Sequence, residues 1–124
     1  MRSVHTDNAP RPVGPYSQAT VSGNIVAVSG QIPIDPMTGE MPNDIEAQTR
    51  TVLSNLLAIF KASGVKDGNI LSVTVYLSDM EDFPIVNSIY KDSFNGIYPA
   101  RSCIGVNALP KGAKVMMDAL GSTE

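Results

Sequence analysis

The stretch Ile70-Leu71-Ser72-Val73-Thr74-Val75-Tyr76-Leu77 decides the fold. It alternates with period two: Leu71, Val73, Val75 and Leu77 share one face, and Ser72, Thr74 and Tyr76 share the other. That is the pattern of a sheet strand with one apolar face, and the apolar face needs cover. The neighbouring segments supply it. Upstream, residues 44–63 predict a helix with Ile45, Val52, Leu53, Leu56, Ile59 and Phe60 on one stripe. Asn43 is the expected cap, with Glu46 completing a capping box, and Gly64 is a natural left-handed terminator. Downstream, a second helix is expected to open near Asp82 to Pro84 and run to about Phe94, burying Phe83, Val86, Tyr90 and Phe94.

Farther out the chain reads as strands. Pro10, Pro12 and Pro15 exclude helix near the start, Ser17 to Val21 is a short strand, and Ile25 to Gln31 is a strand rich in Val and Ile. Two more close the chain. Arg101 to Ala108 sets Ser102, Ile104, Val106 and Ala108 against Arg101, Cys103, Gly105 and Asn107. Lys114 to Leu120 sets Val115, Met117 and Ala119 against Met116, Asp118 and Leu120. The order ββ(β)αβαββ places the chain in the α+β class, as one domain over residues 1–124. Two helices cover only one face of such a sheet. The other face is expected to carry Ile25, Ala27, Ser29, Ser72, Thr74, Tyr76, Arg101, Cys103, Gly105, Asn107, Met116, Asp118 and Leu120, of which only Arg101 and Asp118 are charged. Either another subunit covers this face, most simply in a symmetric homo-oligomer, or it is a weakly amphipathic open sheet.

Composition fits that picture. Charged residues make up 17% of the 124, against ~25% in average soluble proteins, although a small domain has much surface per residue. A net charge of −3 excludes the basic stripe that nucleic acid requires, so nucleic acid is not expected as a partner. No apolar run reaches the ~20 residues that span a bilayer, and the polar stretch Met1 to Pro10 is not a secretory signal. With a single cysteine, the expected location is a reducing one, the cytoplasm.

Several chemistries lack their residues. There is no glycine-rich phosphate loop, and one His (His5) with one Cys (Cys103) makes neither a zinc site nor a secure catalytic triad; no metal is expected. Cys103, in a predicted strand, reads as a small buried hydrophobe. What remains is Arg101, one cation on a neutral face, entered through Tyr98-Pro99-Ala100. A guanidinium in a dry site matches a flat, bidentate carboxylate, whether a ligand or a partner subunit supplies it. Tyr16 and Ser29 are candidate hydroxyl donors at strand ends.

Taken together, Gly14-Pro15-Tyr16-Ser17-Gln18, Val28-Ser29-Gly30-Gln31-Ile32, Val73 to Leu77 with Asp82-Phe83, Val86-Asn87, Tyr98-Pro99-Ala100-Arg101-Ser102 and Leu109-Pro110-Lys111-Gly112 resemble the RidA family, also called YjgF or L-PSP. The resemblance runs in order along nearly the whole chain. It implies a chorismate-mutase-like mixed six-stranded sheet with two helices on one face, assembled as a homotrimeric barrel with sites between subunits. It also implies hydrolysis, without a cofactor, of the reactive 2-imino or 2-enamino acids that serine and threonine dehydratases release, giving 2-keto acids and ammonium. In that reading Arg101 clamps the carboxylate and is the catalytic residue, the Cys103 backbone adds a contact, Ser29 and Gly30 line the pocket, and Tyr16 reaches in from a loop. One position departs from the family: Met116 stands where active members carry a glutamate thought to hold the hydrolytic water. Asp118, on the same face, lies two residues away at ~3.3 Å per residue and cannot simply replace it.

Three functions from different classes follow. The leading one is an imine and enamine deaminase. The second is a non-catalytic trimer that binds small carboxylates such as keto acids. The third is a ribonuclease or translation inhibitor, a label the family carries, for which the chain has no basic patch, aromatic stacking set or His pair.

Overall fold

The computed structural model describes residues 1–124. Its elements follow the expected order: β1 (Arg2–Val4), β2 (Ala19–Ser22), β3 (Ile25–Gln31), α1 (Ile45–Ala62), β4 (Ile70–Leu77), α2 (Phe83–Lys91), β5 (Ala100–Gly105) and β6 (Val115–Ser122). They form one six-stranded sheet, ordered β1-β2-β3-β6-β4-β5. All pairs are antiparallel except β4 and β5, which run parallel because α2 crosses over between them. The class is α+β, and the mixed sheet agrees with the expectation.

Both helices lie on one face. The core between helices and sheet is built from Val52, Leu56, Ile59 and Phe60 of α1, Val86 and Tyr90 of α2, and Val26, Val28, Val73, Val75, Leu77, Val115 and Met117 of the strands. The cap of α1 is Asp44 rather than Asn43. Asp44 is extended, and its Oδ2 accepts the Ala47 N–H at 3.0 Å, so the capping residue sits one position later than expected. Gly64 ends that helix at φ +85°, where a side chain would be strained. The second helix stops at Lys91, short of Phe94, whose ring still packs on Tyr90 at 4.6 Å.

Two strand readings need correction. In β4 the pairing with β6 shifts register between Ile70 and Ser72, so Ile70 is buried and Leu71 faces solvent. In β5 the two faces are exchanged. Parallel pairing sets Arg101 beside Val73 and Cys103 beside Val75, which puts Arg101 and Cys103 on the helix side. Ser102 and Ile104 pair with Thr74 and Tyr76 and lie on the face without helices. That open face is therefore even less charged than expected. Across its paired positions from β2 to β5 it carries Thr20, Ser22, Ile25, Ala27, Ser72, Thr74, Tyr76, Ala100, Ser102, Ile104, Met116, Leu120 and Ser122, with Asp118 as the one charge. The Asp118 carboxylate accepts the Tyr76 hydroxyl at 2.8 Å, which pushes the phenol above its ordinary pKa.

Candidate functional site

Arg101 sits on the outer edge of the sheet, where β5 has no further strand partner. Its guanidinium lies over the Tyr90 ring at 4.8 Å and near the Phe83 ring at 5.4 Å. Nη1 donates to Oδ1 of Asn87 at 2.8 Å. Phe83, Asn87 and Tyr90 all come from α2, at the spacing that gathers one helix face. The side chain is thus held in place, while most of its donor fork stays exposed beside Lys91, Tyr98 and Pro99 in a depression of about 450 Å³. Tyr90 is almost wholly buried, and its hydroxyl has no hydrogen-bond partner. Burial pushes its pKa up to about 12, against the opposing pull of Arg101. Cys103, half-buried two residues along, has its thiol pushed up by burial, again with Arg101 opposing, so it is no ready nucleophile.

Tyr16, Ser29, Gly30 and Met116 meet elsewhere, in a cleft of about 510 Å³ between β3, the start of β6 and the Pro110–Gly112 turn. Pro10, Val13, Ile32, Ile34 and Pro110 give it apolar walls, and Arg11 and Lys111 are its only charged lining residues. Lys111 adopts the left-handed conformation, φ 58°, in that turn. Ser29 is not free to donate: its hydroxyl already donates to the Ser17 carbonyl at 2.6 Å, leaving acceptor capacity only. The Tyr16 oxygen accepts the Val13 N–H at 3.4 Å and keeps its own proton available. The Met116 thioether lies against Gly30, where a Cβ would stand 3.0 Å from the sulfur.

The expected residues therefore form two groups. Arg101 and Cys103 belong to β5, while Ser29 and Gly30 belong to β3, with β4 and β6 between them. Three strand spacings of ~4.8 Å set them ~14 Å apart, and Arg101 faces the helix side while Met116 faces the open side. One chain does not bring them together.

Three buried amides that the sequence reading did not assign hold the cleft walls. Gln18 accepts the Thr6 N–H at 2.7 Å and donates to the carbonyls of Thr6 and Pro10, tying down the N-terminal wall. Asn55 of α1 donates to the Ile34 carbonyl at 2.8 Å. Gln48 accepts the Lys114 N–H at 2.8 Å beside the Pro110–Gly112 turn. Each is at most 2% exposed, so these bonds are made in a dry interior where leaving them unmade would be costly. In sequence, only the place of Gln18 within Gly14 to Gln18 pointed to any of them.

Comparison with known proteins bears on this geometry. The family model described as Endoribonuclease L-PSP matches residues 6–122. A 2-iminobutanoate/2-iminopropanoate deaminase of Escherichia coli strain K12 is 44% identical over 122 residues, covering 96% of this chain and 95% of the relative. The crystal structure of the E. coli YjgF gene product superposes with a TM-score of 0.96 at 41% identity, covering the whole of both chains. E. coli TdcF, solved with bound serine, superposes equally well at 39% identity, again over the whole of both chains. Motif order, sheet topology and full-length similarity agree, and the chain belongs to the RidA family, the YjgF or endoribonuclease L-PSP family.

Proposed function

We propose that the protein is a homotrimeric hydrolase that converts 2-imino acids and their enamine tautomers to 2-oxo acids and ammonium. The observation that carries this reading is Arg101, stacked on two rings, tied to a neutral amide and left with an exposed donor fork. Such a group is built to take a small planar carboxylate with two parallel hydrogen bonds. Relatives support it: the E. coli protein at 44% identity is named a 2-iminobutanoate/2-iminopropanoate deaminase, and TdcF was solved with a small amino acid bound.

The chemistry asks little of the protein. Water adds to the imine carbon, the nitrogen takes a proton, and the carbinolamine collapses to the oxo acid and ammonia, which is protonated to ammonium. A protonated imine is already electrophilic, so the gain comes from holding the carboxylate and orienting the water. The separation of the two residue groups supports assembly. If Arg101 of one copy closes over the Tyr16, Ser29 and Gly30 cleft of the next, a single site forms and the open sheet face is covered. In that site Arg101 clamps the carboxylate and the Cys103 backbone adds a contact.

Met116 favours a second reading, a trimer that binds small carboxylates without turning them over. A thioether takes no proton and accepts hydrogen bonds weakly, and it occupies the floor of the cleft. One experiment decides between them. The imine is generated in situ by an amino-acid oxidase, and its loss to a semicarbazide trap is followed with and without protein. Competition with the trap by wild type and not by Arg101→Ala supports the hydrolase. Binding of 2-oxobutanoate without competition supports the binder. Light scattering at three times the 13.2 kDa chain mass supports the trimer, and a monomer refutes the composite site.

A further inference from the structure

We infer that Met116 sets the side-chain class of the substrate: the protein selects 2-imino acids with an apolar side chain of three or four carbons over the smallest ones. This rests on the imine-hydrolase reading and adds to it the part of the molecule that Arg101 does not hold.

The cleft floor is a thioether, with Val13, Ile32, Ile34 and Pro10 around it. Its charged lining residues, Arg11 and Lys111, are both cationic, so no carboxylate lines it. Met116 is half-buried, with its sulfur and methyl packed on the Gly30 backbone, where a Cβ would meet them at 3.0 and 3.3 Å. Its neighbour Ser29 has its hydroxyl proton engaged with Ser17 and offers the ligand no donor. The polar atoms of a small hydrated substrate would find few partners on this floor. A flexible thioether chain instead conforms to methylenes of varied shape. Each methylene moved from water to such a wall is worth about fourfold in kcat/KM.

The test compares imines made in situ from alanine, 2-aminobutanoate, norvaline and norleucine, each rate divided by its uncatalysed rate. Wild type is expected to favour the six-carbon imine over the three-carbon one by at least about tenfold. Met116→Leu should keep that preference, and Met116→Glu should flatten or reverse it. A flat series in wild type, or a preference unchanged in Met116→Glu, overturns the inference while leaving the hydrolase reading intact. Hydrolysis of none of the imines removes the hydrolase reading. The preference is then read from calorimetric titration with 2-oxo acids of three to six carbons, where affinity that does not rise with chain length overturns it. If Met116→Glu fails to fold, Met116→Gln takes its place.

Discussion

Replacing Arg101 with lysine keeps the charge and removes the fork, and so isolates what the arginine is for. In the structure the guanidinium is held by the Asn87 amide at 2.8 Å and lies over the Tyr90 ring at 4.8 Å, with its other donors exposed. A bidentate carboxylate clamp makes two charge-assisted bonds, each worth about 1.5–3 kcal/mol. An ammonium is a point charge without the planar match, and it is expected to lose one of the two, which lowers kcat/KM by about 10- to 150-fold. The substrate carboxylate is unchanged between ground state and transition state. The loss should therefore fall mainly on KM, with kcat reduced less. Because Arg101 is exposed, the fold should tolerate the change, and the thermal midpoint should move by no more than a few degrees. The assay is steady-state imine hydrolysis against the semicarbazide trap, with a melting curve on the same samples. A KM within twofold of wild type in a folded Arg101→Lys protein would refute the clamp. So would a loss confined to kcat.

Two further predictions concern the scaffold. The buried, unpaired Tyr90 hydroxyl predicts that Tyr90→Phe is neutral or stabilising by about 1 kcal/mol at pH 7, read from urea midpoints at fixed protein concentration. A loss above that size would mean the hydroxyl has a partner. Since folding raises this phenol from about 10 to about 12, its contribution to stability is complete below pH 10 and is lost as pH rises to 12. Stability should thus fall less steeply over that window in Tyr90→Phe. Gly121 meets α1 in the core, where an added Cβ would stand 2.6 Å from a Phe60 ring carbon and 3.1 Å from Val65. Gly121→Ala should cost about 1–3 kcal/mol in the same urea assay, and a neutral result would show that Phe60 has room to move.

Much of the fold was legible because its signals are periodic. The stripe of α1 and the alternation of β6 and most of β4 each point to one buried face, and the structure keeps those faces. The misreadings fall where periodicity carries no information. In β5, small and apolar residues occupy both phases, so alternation could not say which phase faces the helices. The pairing of Val73 with Arg101 decided it, and pairing is a long-range fact. Leu71 was misplaced by a register shift, which moves one residue to the other face without any change in composition. The buried amides were hidden for a related reason. Gln18, Gln48 and Asn55 look like surface residues in a sequence, and only the loops they bind show them to be interior.

The exchange of faces in β5 alters what the shortage of charge means. With Arg101 on the helix side, the open face no longer contains both the apolar surface and the exposed cation; they are separate features. Isoleucine at 104 and leucine at 120, each more than two-fifths exposed, stand on the open face with Asp118 tied to Tyr76 between their strands. A surface of this kind, covered by copies of itself, would bury one carboxylate per chain already hydrogen-bonded to a phenol, which lowers the cost of burying it. Arg101, at the sheet edge, would then reach the neighbouring chain's cleft without taking part in the contact between open faces. Assembly would thus draw on one face of β5, and the proposed clamp of Arg101 on the other. Disrupting the open face, for example with Ile104→Asp, should abolish catalysis by removing the second half of each site, even though Arg101 and its support on α2 stay in place.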